Sequence, residues 1–171
     1  QALLNDPKIL ILDEPTAGVD PQERIRIRNF ISEIAQDRIV ILATHIVSDV
    51  EAIAKEIILL KKGEVIEQGT PYELLEKIKP YVYEIQIKKE QLKDMQKQYI
   101  VSNLRHTQNG LAAKIILKND KPLKRSSLQE DVNMQVNPSV FGGHFLEGLS
   151  LEQTSANLED VYLYHFNTNF F

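Results

Sequence analysis

Two short runs of apolar residues stand out in the first half of the chain. Residues 9–12 and 39–44 are rich in Ile and Leu, which is typical of strands buried on both faces of a parallel sheet. Between them, Asp20, Pro21 and Glu23 have the spacing of a helix start with a capping box. Apolar residues at helical spacing then predict one buried helix face, at Ile27, Phe30, Ile31 and Ile34. Strand, helix and strand together predict a βαβ unit with parallel strands.

Polar residues follow both predicted strands at the point where each strand ends. Asp13 and Glu14 come directly after the first strand, and His45 comes after the second. The carboxyl ends of parallel strands meet at one edge of a sheet, where ligands bind in open α/β folds. We therefore expect these three side chains to share an edge. The simpler alternative is that two adjacent acids only solvate a loop and that the histidine is structural.

The chain continues with a helix, a hairpin and a second helix. A helix is predicted at about 47–55, with Val50, Ile53 and Ala54 inward. Residues 56–60 and 65–68 predict a hairpin with Gly63 in its turn. Thr70, Pro71 and Glu73 then repeat the capping pattern and begin a helix that reaches about residue 79.

The pattern of apolar and polar residues changes at about residue 80. From there on it predicts a small α+β domain with an antiparallel sheet. It comprises a strand at 81–88, a helix at 90–99, a hairpin turning at Asn109-Gly110 between strands 100–105 and 111–117, a short helix at 123–131, a flexible loop at 133–143, strands at 134–136 and 149–152, and a helix at 158–166. The last helix is expected to bury one face, formed by Leu158, Val161, Tyr162 and His165.

Composition narrows the functional classes. The net charge of −4 over 171 residues gives no electrostatic basis for nucleic-acid binding. The chain has no cysteine, so it has neither disulfides nor thiolate metal sites. No run of apolar residues approaches the roughly 18 residues that a membrane span requires, so any membrane connection of these residues is expected to pass through a partner.

Several motifs, in order along the chain, resemble those of the ATP-binding cassette (ABC) ATPases. ILILDEP at 9–15 with AGVD at 17–20 resembles the Walker B motif and D-loop, and IVILATH at 39–45 resembles the next strand with its switch histidine. GTPYEL at 69–74 resembles the end of the phrase that closes the cassette. NLEDVYL at 157–163 resembles, more weakly, a phrase near the end of many bacterial ABC exporter ATPases.

Two motifs of that family are absent. The only near-frame for the Walker A loop, GxxxxGK[ST], is Gly143 to Gly148, and it is followed by Leu149 and Ser150 instead of Lys and Ser/Thr. No LSGGQ-type signature occurs. The resemblance therefore implies a C-terminal piece of a longer protein, and we expect these 171 residues alone to be inactive as an ATPase.

The fold implied by the resemblance is α/β, a partial P-loop NTPase with a parallel sheet and flanking helices, followed by the small α+β domain. Residues 1–79 would be the C-terminal half of the nucleotide-binding domain, and 80–171 an accessory domain.

The resemblance also assigns roles to four residues in a site for ATP and Mg²⁺. Glu14 would be the general base for the attacking water, and His45 would contact the terminal phosphate. Asp13 would hold Mg²⁺ through a coordinated water. Asp20, in the D-loop, would cap its own helix and contact a second ATPase subunit.

The whole protein would then be the ATP-hydrolysing subunit of a bacterial ABC transporter, most simply an exporter. It would work as a head-to-tail dimer bound to a membrane permease on the cytoplasmic face of the membrane. One alternative is a soluble ABC ATPase of translation or DNA repair, against which the absence of a basic patch counts. Another is an inert interaction module, which predicts erosion of Asp13, Glu14 or His45, although all three are present.

Overall fold

The computed structural model describes residues 3, 5–108, 110–117 and 151–166. The fold is mixed α/β, and the chain divides into two compact units, residues 1–57 and 58–171. The division falls within the first strand of the predicted hairpin. The predicted end of the cassette at residue 79 stays a prediction. The helix expected at 123–131, the strand at 134–136 and the loop at 133–143 lie outside the described residues.

The first unit is a βαβα arrangement. It consists of β1 (Ile9–Asp13), α1 (Pro21–Ile34), β2 (Ile39–Ala43) and α2 (Val47–Ile53). The two strands are parallel, with Asp13 opposite Ala43 at their carboxyl ends. The predicted βαβ unit is therefore confirmed, and Glu14 and His45 leave the same edge of the sheet.

Helix α1 begins as the sequence predicts. The Asp20 carboxylate accepts hydrogen bonds from the backbone N–H groups of Gln22 and Glu23, both at 2.9 Å. The Glu23 side chain forms an ion pair with Arg26, so the predicted capping box is present only in its Asp20 half. Such a cap contributes about 1 kcal/mol to helix stability.

The prediction that both strands are buried on both faces is wrong for the described residues. Leu10 is buried, but the side chains that alternate with it on the opposite face are exposed: Ile9, Ile11, Ile39 and Ile41. Successive strand residues point to opposite faces, and the described chain covers only one of them. For α1, Ile31 is buried but Phe30 is exposed, so the buried helix face is narrower than the apolar pattern suggested.

The second unit begins with a hairpin and a capped helix. Strands β3 (Ile57–Lys61) and β4 (Glu64–Gly69) are joined by Lys62 and Gly63, which both have positive φ angles, as a tight type I′ turn requires. Helix α3 (Pro71–Ile78) has the predicted capping box between Thr70 and Glu73.

The other described strands of the second unit form a four-stranded antiparallel sheet. Its strands are β5 (Val82–Ile87), β6 (Ile100–Thr107), β7 (Gly110–Ile116) and β8 (Leu151–Gln153), in the order β6-β7-β5-β8. The unit also contains the helices α4 (Leu92–Gln98) and α5 (Leu158–Phe166). Ile85, Ile115 and Leu151 of this sheet form a core with Met95 of α4. The antiparallel sheet with helices is the arrangement that the sequence predicts.

Two details of this unit differ from the prediction. Gly110 is the first residue of β7 and pairs with Thr107, so it lies in the strand and not in the turn. On α5, Tyr162 is exposed and Asp160 is buried, because the Asp160 carboxylate forms an ion pair with Lys114 of β7. The sequence pattern around Asp160 does not show that Lys114 is its partner.

Candidate active site at the edge of the parallel strands

The Glu14 carboxylate is held by the two residues that follow β2. Thr44 Oγ1 donates a hydrogen bond to Glu14 Oε2 at 2.9 Å, and the His45 backbone N–H donates to Glu14 Oε1 at 2.9 Å. The His45 ring nitrogen Nδ1 lies 2.6 Å from the same Oε1. Both carboxylate oxygens are thus fixed by the neighbouring strand end, while the Glu14 side chain keeps 32% of its surface exposed.

The backbone of Glu14 adopts a left-handed conformation with φ of 45°. A residue other than glycine rarely takes this conformation because its Cβ crowds the backbone. Its N–H nevertheless donates to the Ala43 carbonyl at 2.8 Å, which extends the ladder of the two strands by one bond. The turn that starts at Glu14 therefore aims the side chain across to β2 at a cost in backbone strain.

His45 presents its ring to solvent. Its side chain is 80% exposed, and only Nδ1 has a partner among the described residues. An ionised carboxylate can only accept hydrogen bonds, so Nδ1 carries the proton that points at Glu14. The other ring nitrogen, Nε2, is left open to a ligand.

The contacts with His45 and Thr44 act on the ionisation of Glu14. The hydrogen bond from the His45 side chain, joined by those from Thr44 and the His45 backbone, lowers the pKa of Glu14 below its ordinary value, against a smaller opposing effect of desolvation. Glu14 is therefore a carboxylate at neutral pH, and the geometry suits it to accept a hydrogen bond from a water and orient it.

Asp13 and Asp20 occupy different positions. Asp13 ends β1 next to Glu14 and is exposed, and its carboxylate makes no hydrogen bond or ion pair with other described residues. Because hydrated Mg²⁺ needs only one or two protein carboxylates, this free carboxylate fits such an ion. The Asp20 carboxylate is occupied by the start of α1, which is the first of its two expected roles.

Known proteins with similar sequences bear on the function of these residues. The chain is 28% identical over 166 residues to the uncharacterized ABC transporter ATP-binding protein YxlF of Bacillus subtilis, covering 95% of this chain and 51% of YxlF. It is 40% identical over 77 residues to the energy-coupling factor transporter ATP-binding protein EcfA2 of Lactococcus lactis subsp. cremoris, or 44% of this chain and 27% of EcfA2. It is 41% identical over 87 residues to the Nod factor export ATP-binding protein I of Rhizobium meliloti, or 50% and 26% of the two chains.

Its homologues are ABC transporter ATP-binding proteins. The resemblance to ABC ATPases is thereby confirmed. The chain spans about half the length of YxlF and about a quarter of the other two ABC proteins. No family model matches it.

Two further observations concern the described residues. None of the helices in the described ranges has both the length and the apolar character that crossing a bilayer demands. Nor do the described residues bring three or more metal-ligating side chains together.

The motifs recognised in the sequence gave no role to one residue of the site, Thr44. Thr44 Oγ1 donates to Glu14 and also accepts a hydrogen bond from the Ile46 N–H at 3.0 Å, at the start of α2. Sequence reasoning treated Thr44 only as the neighbour of His45. A threonine at the end of an apolar strand is a common strand residue, so its type gave no separate signal.

Proposed function

We propose that this chain is the C-terminal part of an ATP-hydrolysing ABC transporter subunit in which Glu14 orients and activates the attacking water. The observation that supports this most is the Glu14 carboxylate held between Thr44 and His45 at the carboxyl edge of two parallel strands. Hydrolysis of a phosphoanhydride depends on positioning and charge neutralisation, with little covalent chemistry by the protein. A fixed, ionised and solvent-accessible carboxylate supplies the positioning part.

His45 would serve this reaction through both of its ring nitrogens. Nδ1 holds the Glu14 carboxylate, and the exposed Nε2 is available to contact the terminal phosphate of ATP. In this arrangement one side chain links the water-orienting group to the group that is attacked, which keeps both in a near-attack geometry.

Asp13 would hold Mg²⁺ through its exposed carboxylate, most simply by way of a coordinated water. The ion would supply charge neutralisation on the phosphates when bound. Because Asp13 ends β1 and Glu14 turns away from the strand, one carboxylate serves the metal and the other serves the water.

The wider assembly follows from the same proposal. Asp20 would contact a second ATPase subunit in a head-to-tail dimer, and the dimer would drive export through a membrane permease at the cytoplasmic face. Transport is supported by the names of the homologues, among them a Nod factor export protein. Residues 80–171 would form the accessory domain, and the match to YxlF, which covers 95% of this chain, supports their place in the same protein.

The decisive experiment compares Glu14→Gln with Asp13→Asn in the intact protein that carries this chain. Gln keeps the shape of Glu14 but loses its charge and basicity, so we expect the hydrolysis rate to fall by about 10²–10⁴-fold. ATP affinity should stay unchanged or increase, because a like charge beside the polyphosphate is removed. Asp13→Asn should instead weaken both Mg²⁺ retention and nucleotide affinity.

The matched control is Glu51→Gln, which removes an exposed carboxylate from α2 away from the strand ends. It should hydrolyse ATP at the wild-type rate. If Glu14→Gln turns over within a few-fold of wild type, Glu14 is not the base. If the wild-type protein itself does not hydrolyse ATP, the inert interaction module becomes the better description.

A further inference from the structure

A second pair of polar side chains, Thr16 and Asp49, is buried within a few residues along the chain of Glu14 and His45. Thr16 is 2% exposed and Asp49 is 1% exposed. Thr16 Oγ1 donates a hydrogen bond to Asp49 Oδ2. Burial of a carboxylate is costly unless it is paired, so this contact is a built feature of the unit and not an incidental surface contact.

The positions of Thr16 and Asp49 in the chain connect them to the candidate site. Thr16 lies two residues after Glu14, and Asp49 lies four residues after His45. Thr16 belongs to the turn that leaves β1, and Asp49 belongs to the first turn of α2. The hydrogen bond therefore joins the two segments that carry the site residues.

A third element completes the surroundings of Asp49. Its other oxygen, Oδ1, is buried without a hydrogen bond and lies 3.7 Å from Arg28 Nη1 of α1. Arg28 Nη1 also lies within 3.4 Å of the Ser48 carbonyl. The negative charge of Asp49 is thus balanced by a cation, and α1, α2 and the turn after β1 meet at one carboxylate.

We propose that Thr16 and Asp49 are positioning residues, which hold the turn after β1 against α2 so that Glu14 meets Thr44 and His45. The turn needs such a restraint because Glu14 has a strained left-handed backbone, and a free turn would relax toward ordinary φ values. Relaxation would draw the Glu14 carboxylate away from Thr44 and His45. This inference rests on the proposed function for its catalytic consequence, although the link itself can be tested without activity.

The test uses Thr16→Val in the intact protein, because Val matches the shape of Thr and removes the hydroxyl. We expect kcat for ATP hydrolysis to fall by about 10²-fold, the size of effect that a misplacement of about 1 Å produces, with KM for ATP changed less than about 3-fold. Thr16→Ser keeps the hydroxyl and should retain most of kcat. The double variant Thr16→Val/Asp49→Ala should be no slower than the slower single variant, because both remove one link.

A structural readout separates positioning from general destabilisation. The His45 backbone N–H donates to Glu14, so its hydrogen-exchange protection should fall by at least about 10-fold in Thr16→Val. Ile31→Val, which trims a buried side chain of α1, is the matched destabilised control and should leave that protection unchanged relative to its neighbours. Equal effects of Thr16→Val and Ile31→Val on kcat, or an unchanged His45 amide in Thr16→Val, would overturn the proposal.

A measurement on the wild-type protein guards against a variant that fails to fold. The Thr16 hydroxyl proton, buried and bound to a carboxylate, should exchange slowly enough to give a distinct NMR signal; rapid exchange with water would refute the link. If the wild-type protein lacks ATPase activity, the proposed function fails, and the two exchange measurements still decide whether the link exists.

Discussion

At the scale of single residues, the pKa values of Glu14 and His165 are both lowered, but for different physical reasons. Hydrogen bonding by His45 favours the charged form of Glu14, whereas burial disfavours the charged form of His165. One environment therefore keeps a carboxylate ionised and the other keeps an imidazole neutral. Only the first serves the candidate site.

His165 should make the second unit sensitive to acid. Burial lowers the pKa of His165 below its ordinary value of 6.5, against a smaller raising effect of Glu67 and with small lowering contributions from Lys77 and Lys61. Below pH 6.5 the unfolded chain takes up a proton that the folded chain resists, so stability falls as the pH drops toward the folded-state pKa and levels off below it. Urea midpoints of the chain at pH 7.5, 6.0 and 5.0 should fall more for wild type than for His165→Gln. Identical pH profiles would contradict this.

Local signals explain which residue features the sequence could reveal. The caps at Asp20 and Thr70 depend on residues within three positions, and both form. The buried carboxylates of Asp49 and Asp160 have charged or polar partners distant in sequence, Thr16 at 33 positions and Lys114 at 46 positions, although Asp160 also accepts a hydrogen bond from the nearby Asn157 N–H. Charge is a strong signal for exposure, so the sequence alone does not indicate that either carboxylate is buried.

At the scale of elements, two glycines show how a strand and a turn make different demands. Gly63 has φ of +84° and open space where a Cβ would stand, whereas Gly110 has φ of +138° and a Cβ there would lie 2.7 Å from the Ile87 carbonyl oxygen. The turn needs only the backbone conformation. The strand needs both the conformation and the absence of a side chain.

Substituting alanine at each glycine should separate the two demands. Gly63→Ala should cost about 1–2 kcal/mol, the penalty for a left-handed residue with a Cβ. Gly110→Ala should cost roughly 3 kcal/mol or more, because β7 must also move away from β5. Equilibrium urea unfolding of the two variants measures the difference, and equal losses would mean that β7 shifts without penalty.

Strand pairing was largely predictable because a connecting helix implies a parallel pair and a turn signal implies a hairpin. Strands β1 and β2 pair in parallel as predicted, and β6 and β7 form a hairpin. The position of Gly110 within β7 was not predictable, since a dipeptide signal locates a turn without setting its register.

At the scale of the whole chain, a row of four isoleucines faces solvent on one side of the β1–β2 pair. Ile9 stands opposite Ile39, and Ile11 stands opposite Ile41. These strands have the apolar composition of a sheet covered on both faces, but the described chain covers one. The extent of burial could not be predicted from the strands themselves, because it depends on which other segments pack against them.

The isoleucine row should make the 171-residue chain self-associate. Light scattering after size-exclusion chromatography should show a mass that rises with concentration, because contiguous exposed apolar surface drives association. Ile11→Thr/Ile41→Thr should reduce this association without lowering the unfolding midpoint much, since both side chains are already exposed. The control Tyr72→Ser removes an exposed aromatic residue of α3 and should leave association unchanged. A monomer at all concentrations would refute the prediction.

The left-handed backbone of Glu14 has a consequence for the history of such a protein. Glycine at position 14 would release the strain of a φ of 45°, and asparagine would tolerate it better than glutamate. Selection for hydrolysis would keep glutamate at position 14 although other residues would relieve the backbone strain. In a descendant freed from hydrolysis, mutational drift should therefore replace Glu14 early, while Leu10 and Ile31, which only fill the core, should persist for as long as the unit folds.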